Sequence, residues 1–276
     1  AKGKACDSKA KCTCGAKGKA CDSKAKCTCD AKGKACDSKA KSACCDKTLK
    51  KKYSNLTIID HPKQPFSYAE SCNIGAKNTK GEFLVMLNND TEVITPDWIE
   101  KMLGYAMRKE TGAVGCKLMY PGDQLIQHAG IAIGPGGVAA NLLSGLPEHG
   151  LTPMQHLYYQ TAHNVTAVTA ACLMISKEKY DDVGGFDEVF RVTYNDVDLC
   201  LRLHDSSLRN VYLPQVRLMH HESISVGLPD QKKRDNKERD RATALFKKRW
   251  TKYIESDPNY NQNLDKDNVF FKVKPV

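Results

Sequence analysis

A 15-residue unit, AKGKACDSKAKCTCG, opens the chain and recurs as AKGKACDSKAKCTCD and AKGKACDSKAKSACC. It holds no aliphatic residue beyond alanine, so residues 1–45 cannot bury enough apolar surface to offset the entropy of ordering them. Any packed core of this 276-residue chain must come from the remainder. Charge divides the same way. Sixteen lysines face five aspartates before Tyr53, whereas the rest is close to neutral, so the formal net charge of +10 belongs to the repeat.

Nine of the 13 cysteines lie in the repeat: Cys6, Cys12, Cys14, Cys21, Cys27, Cys29, Cys36, Cys44 and Cys45. Cys-x5-Cys-x-Cys among lysines supplies thiolates with ammonium groups nearby, a set suited to soft metals such as Zn²⁺, Cd²⁺ or Cu(I). In composition it resembles the metallothioneins. Two other readings stay open: a basic tail without specific chemistry, and a disulfide-stapled repeat, which an odd count of nine cannot pair completely. Lysines of this density attract phosphate groups, but no aromatic residue before Tyr53 can stack a base, so no specific nucleic-acid partner is expected.

The longest apolar run, Val165 to Ile175, falls short of a membrane span, and no apolar signal region follows the first lysines. The expectation is a cytoplasmic protein, with peripheral association at the inner face of the membrane.

From Leu56 short apolar runs alternate with amphipathic segments. LTII (56–59) reads as a strand, Ser67 to Thr79 as a helix capped by Ser67, and FLVML (83–87) as a buried strand. Thr95-Pro96-Asp97 opens a helix with Thr95 as its cap, Val114 to Met119 is a strand, and Val165 to Ile175 is one long buried strand. A short helix from Lys177, a helix beginning at Tyr194-Asn195-Asp196, a strand through His220 and His221, and a covering helix from Asp230 to Trp250 complete the pattern. The fold class is α/β with a mostly parallel sheet. Four regions are expected: the repeat at 1–46, a linker at 47–55, the α/β domain at 56–264 and a tail at 265–276.

In such a sheet ligands sit beyond the carboxyl ends of strands, where Asn88, Asn89 and Asp90 follow FLVML. An oxygen-rich turn there suits Mg²⁺ or Mn²⁺ held against a diphosphate, or merely ends the strand. Asp196 and Asp198 open a helix, where carboxylates also complement the dipole; two residues apart, they point in different directions and take different roles. His220 and His221 are neighbours on a strand, so only one can face a site.

GEFLVMLNNDTEVITPDWIEKML, GAVGCKLMYP, IQHAGI, VTAACLMISKEKYDDVGGFDE, NDVDLCLRL, HHESISVG and DPNYNQNL together resemble the family 2 glycosyltransferases of the GT-A fold, over about 56–264. The resemblance implies that Asp90 ligates the metal holding a nucleotide-sugar diphosphate, with Asn88 and Asn89 in the same donor-binding triplet. It implies that His220 completes the metal or diphosphate contacts, and that Asp196 is the general base of an inverting transfer to a cell-surface glycan or lipid-linked saccharide. The family's triplet usually begins with Asp, and its base motif usually reads Glu-Asp rather than Asn195-Asp196. The strand, helix and strand that open the family do not precede Leu56 here, so a donor pocket lacking part of its wall is expected. A thiolate metal-binding protein fused to an inactive transferase remnant is the alternative.

Overall fold

The computed structural model describes residues 52–61, 65–122, 124–221 and 229–274, with backbone alone for 229–235. The nine-cysteine repeat lies outside the described residues, and with it the expected thiolate cluster and its Zn²⁺. The chain divides into two units, Ala1–Pro62 and Lys63–Val276. In the first, the Leu56 N–H bonds the Tyr53 carbonyl at 3.2 Å to close a turn. LTII forms no strand: a strand exists through its ladder, and these residues have no ladder partner among the described residues.

The second unit begins with α1 (Tyr68–Lys77), whose cap Ser67 accepts the Glu70 N–H at 3.2 Å as the sequence predicts. Next come β1 (Phe83–Leu87), β2 (Thr91–Val93) and α2 (Trp98–Ala106). The cap of α2 is Asp97, not Thr95, whose hydroxyl instead accepts the Arg217 N–H at 2.9 Å. Then follow β3 (Thr111–Met119), β4 (Ile126–His128), β5 (Ile131–Ile133), β6 (Ala139–Asn141), α3 (Pro153–Gln160), β7 (His163–Val165) and β8 (Cys172–Ser176). Last are α4 (Lys177–Asp182), α5 (Asn195–Asp205), β9 (Arg209–His220), α6 (Pro229–Arg249) and α7 (Thr251–Glu255).

The main sheet runs β1-β8-β3-β9-β2, with β4 added to β3 and β7 to β9. Only β3 and β9 pair in parallel; the other described pairings are antiparallel, which corrects the expected mostly parallel sheet. Apolar runs mark strands but carry no information about direction, nor do they guarantee burial: FLVML, expected as a buried strand, has one face exposed. β3 has all nine residues buried, and alternate residues feed two cores. Val114, Cys116 and Leu118 meet Met102 and Ala106 of α2, while Ala113 and Met119 belong to the cluster holding α1, α5 and α6. On β1, Leu84 and Met86 enter that larger cluster while Val85 and Leu87 stay exposed.

Two further corrections concern connections. Val165 to Ile175 is not one strand: β7 ends at Val165, and 166–171 crosses to β8. Gly115 permits this crossing, since a Cβ there would run into the Val168 side chain. The residues expected as a tail after Leu264 fold back onto the unit. Gln155 Nε2 donates to the Phe270 carbonyl at 2.7 Å, and Phe271 is buried with its ring edge-on to Tyr158 at 4.5 Å. Asp257 anchors this return, accepting from the Ile133 N–H at 2.6 Å, the Asn259 N–H at 2.8 Å and the Thr166 hydroxyl.

Candidate active site

Asn88 ends β1, its N–H bonded to the Ala171 carbonyl at 3.0 Å. Its own carbonyl accepts from the Thr91 N–H at 3.3 Å and the Thr91 hydroxyl at 2.8 Å, closing the four-residue turn that contains Asn89 and Asp90. β2 then pairs with β9 in a register that sets Thr91 opposite His220. This brings residues 130 positions apart in sequence into contact: His220 Nε2 lies 3.2 Å from Asp90 Oδ1 and 3.2 Å from Asn88 Nδ2. Asp90 and His220 are largely covered, with 19% and 12% of their side-chain surfaces exposed, while Asn89 is exposed. His221 faces away from this pair toward Glu92, 3.4 Å from its Oε2, as alternation along a strand requires.

Among the described residues the buried Asp90 Oδ1 has no hydrogen-bond donor. The carboxylate oxygen suits Mn²⁺ or Mg²⁺, and the imidazole nitrogen beside it favours the less hard Mn²⁺ of the two. Two such ligands at about 2.1 Å from one ion and at right angles would stand about 3 Å apart, close to the observed separation. No group of three or more His, Cys, Asp or Glu side chains gathers in this way among the described residues, so further ligands would come from diphosphate oxygens or water.

Asp196 stands in the first turn of α5. Its Oδ2 accepts the Ala170 N–H at 3.1 Å and its Oδ1 the Val197 N–H at 2.9 Å. Burial raises its pKa above the usual aspartate value, opposed by these backbone donors and by the Thr169 hydroxyl. Tyr68 closes the same corner, donating to the Ala170 carbonyl at 2.9 Å; burial raises the pKa of its phenol and keeps the donor hydrogen in place. The turn into α5 is strained. Tyr194 has φ of 67°, held by ring stacking on Phe246 at 4.7 Å, and its carbonyl accepts the Asp198 N–H at 2.8 Å to start the helix. Asn195, where the family's base motif usually has Glu, is buried and donates to the Val192 carbonyl at 2.9 Å.

The Asp90 turn and the Asp196 turn therefore meet on one short strip of backbone. Ala171 holds the first through its carbonyl and Ala170 the second through its N–H. Sequence reasoning singled out Asp90, His220 and Asp196 but not this strip, because small residues in an apolar run read as strand. It also missed Gln127, whose signal was a polar residue at the centre of the buried β4.

A family model described as glycosyltransferase like family 2 matches residues 37–228, and the chain belongs to that family. Its fold is that of the GT-A glycosyltransferases. A crystal structure of GalNAc-T7 with UDP, GalNAc and Mn²⁺ superposes with a TM-score of 0.53 at 14% identity, over 83% of this chain and 51% of that one. The chain is 41% identical over 209 residues to an uncharacterised protein of Sinorhizobium fredii, covering 73% of this chain and 22% of that protein. It is 44% identical over 167 residues to the O-antigen biosynthesis protein RfbC of Myxococcus xanthus, covering 60% and 13%. The chain thus spans less than a quarter of the length of either relative. A 60-residue stretch is 35% identical to an N-acetylglucosaminyl-diphospho-decaprenol L-rhamnosyltransferase of Mycobacterium tuberculosis, 22% of this chain and 20% of that enzyme. No described helix is long and apolar enough to cross a membrane.

Proposed function

We propose that this chain performs glycosyl transfer from a nucleotide sugar to a hydroxyl of a glycan or lipid-linked saccharide, with inversion at the anomeric carbon. The observation that carries the reading is the convergence of the Asp90–His220 pair and Asp196 on the Ala170–Ala171 strip. Asp90 and His220 would hold a divalent cation, Mn²⁺ or Mg²⁺, with Asn88 and Asn89 in the same donor turn. When bound, the cation offsets the negative charge that develops on the departing nucleoside diphosphate.

Asp196 acts as general base. Its carboxylate takes the proton of the acceptor hydroxyl as that oxygen bonds the anomeric carbon, and the electrons of the breaking carbon–oxygen bond leave with the diphosphate. Burial suits Asp196 to this task, because a base raised toward neutral pH holds a proton better than an exposed aspartate. Its two backbone donors fix the carboxylate plane, and Tyr68 holds the peptide that supplies one of them. The identities of the mycobacterial rhamnosyltransferase and of the O-antigen protein support a saccharide acceptor destined for the cell surface.

Isothermal titration of UDP-, GDP- and dTDP-sugars into the protein, with and without Mn²⁺, tests the donor half. The expected result is metal-dependent binding that Asp90→Ala abolishes and Asp196→Asn retains. A folded protein that binds none of these donors at saturating Mn²⁺ overturns the reading.

A further inference from the structure

Gln127 lies at the centre of β4, with 4% of its surface exposed, and makes two bonds to the same histidine. Its Nε2 donates to the His220 carbonyl at 3.1 Å, and its Oε1 stands 2.8 Å from His220 Nδ1. The first contact fixes the second. A main-chain carbonyl only accepts, so the amide nitrogen of Gln127 must face it and the amide oxygen must face the ring. An amide oxygen also only accepts, so His220 Nδ1 must carry the hydrogen. In the neutral ring, Nε2 then presents a lone pair to Asn88 Nδ2 and Asp90 Oδ1, each 3.2 Å away.

We infer that Gln127 is a positioning residue that selects the Nδ1–H tautomer of His220 and so keeps Nε2 and Asp90 Oδ1 both available to a cation. The alternative tautomer would let Nε2 donate to Asp90, satisfying that oxygen internally and removing both ligands at once. It would also set the Nδ1 lone pair against the lone pairs of Gln127 Oε1. Asn88 favours the same tautomer, since its amide hydrogens can bond an unprotonated Nε2 but not an Nε2–H, and a cation binding Nε2 would displace that bond. An outer partner of this kind orients the ring and raises its basicity as a ligand. The inference rests on Asp90 and His220 being the metal ligands of the proposed transfer.

The full chain labelled with ¹⁵N-histidine, with His220→Gln used for assignment, reports the tautomer from long-range ¹H–¹⁵N correlations without metal. The expected wild-type result is the Nδ1–H form. Gln127→Leu is expected to move His220 to the Nε2–H form and to weaken binding of Mn²⁺ alone by about 10- to 100-fold. Gln127→Glu, which keeps an acceptor at Nδ1, is expected to restore both. An Nε2–H form in the wild type overturns the inference whether or not the variants fold, as does a folded Gln127→Leu that stays Nδ1–H. A tautomer switch in a protein that binds no Mn²⁺ upholds the role of Gln127 and overturns the metal reading of Asp90 and His220.

Discussion

Asp196 and Asp198 stand two positions apart on the first turn of α5, and the two faces of that turn have opposite characters. Asp198 is fully buried and saturated with charged and ring donors: Arg202 Nε at 2.8 Å, Arg249 at 2.8 Å and Trp250 Nε1 at 2.9 Å. It ties α6 to α5. Asp196 looks onto the Thr169–Ala171 strip, has no basic partner among the described residues, and takes its hydrogen bonds from two backbone N–H groups and a threonine. Asp198 has its oxygens committed to the two arginines and Trp250. A carboxylate buried among neutral donors keeps its affinity for a proton. The helix thus carries an anchor on one face and, in the proposed transfer, the base on the other.

The largest expected effect comes from Asp196→Asn, which removes the base while leaving the anchor. Transfer should fall on the order of a hundred- to ten-thousand-fold with the melting temperature little changed. A matching collapse in stability would erase the distinction between the faces. The wild-type rate should also lose its acid limb at a pH above the ordinary aspartate pKa, because the native pKa of Asp196 is raised. The same shift has a sign for stability. Ionised Asp196 costs stability above its native pKa, and that cost fades as the pH falls through it, a dependence that Asp196→Asn should remove in denaturant titrations at several pH values.

Asp198→Ala should do the reverse in kind. Removing the acceptor that Arg202, Arg249 and the Trp250 N–H share should cost about 3 kcal/mol, read as a drop in melting temperature. Donor binding below that temperature should survive. If Asp198→Ala were as stable as the parent, the anchoring role would be wrong.

Gly115→Ala probes the strip itself. A methyl group there must displace Val168, so a stability loss of about 1–3 kcal/mol is expected, with a fall in transfer rate because Thr169 to Ala171 move with Val168. Normal turnover at reduced stability would separate the strip from the chemistry.

The smallest effect is expected at the far end of α5. Ser207 follows the helix with φ of 64°, its N–H bonded to the His204 carbonyl at 2.9 Å, and the Leu208 N–H bonded to the Leu203 carbonyl at 3.0 Å. That arrangement favours glycine. Ser207→Gly should stabilise the protein by about 0.5–1 kcal/mol with activity unchanged, measured by denaturant titration.

Much of this organisation was legible before folding. The cap at Ser67, the strand FLVML and the helix from Asp230 to Trp250 follow from local pattern. So did the different surroundings of Asp196 and Asp198, since residues two apart on a helix diverge. The break in Val165 to Ile175 was hidden, because a buried crossing made of small residues has the same apolarity as a strand. The antiparallel pairings were hidden too.

By itself the sequence determined which segments can be buried and where several of the helices lie, because each of these depends on a side chain and its near neighbours along the chain. Asp90, Asp196 and His220 were singled out by the resemblance of their motifs to the family. Only the tertiary structure decided that Asp90 meets His220, that Gln127 holds the ring from its other side, and that both halves of the site hang on Ala170 and Ala171. The contacts of His220 with Asp90 and Gln127 join residues more than 90 positions apart, brought together by strand pairing. Register fixes which side chains share a face, and it exists only once the sheet has formed.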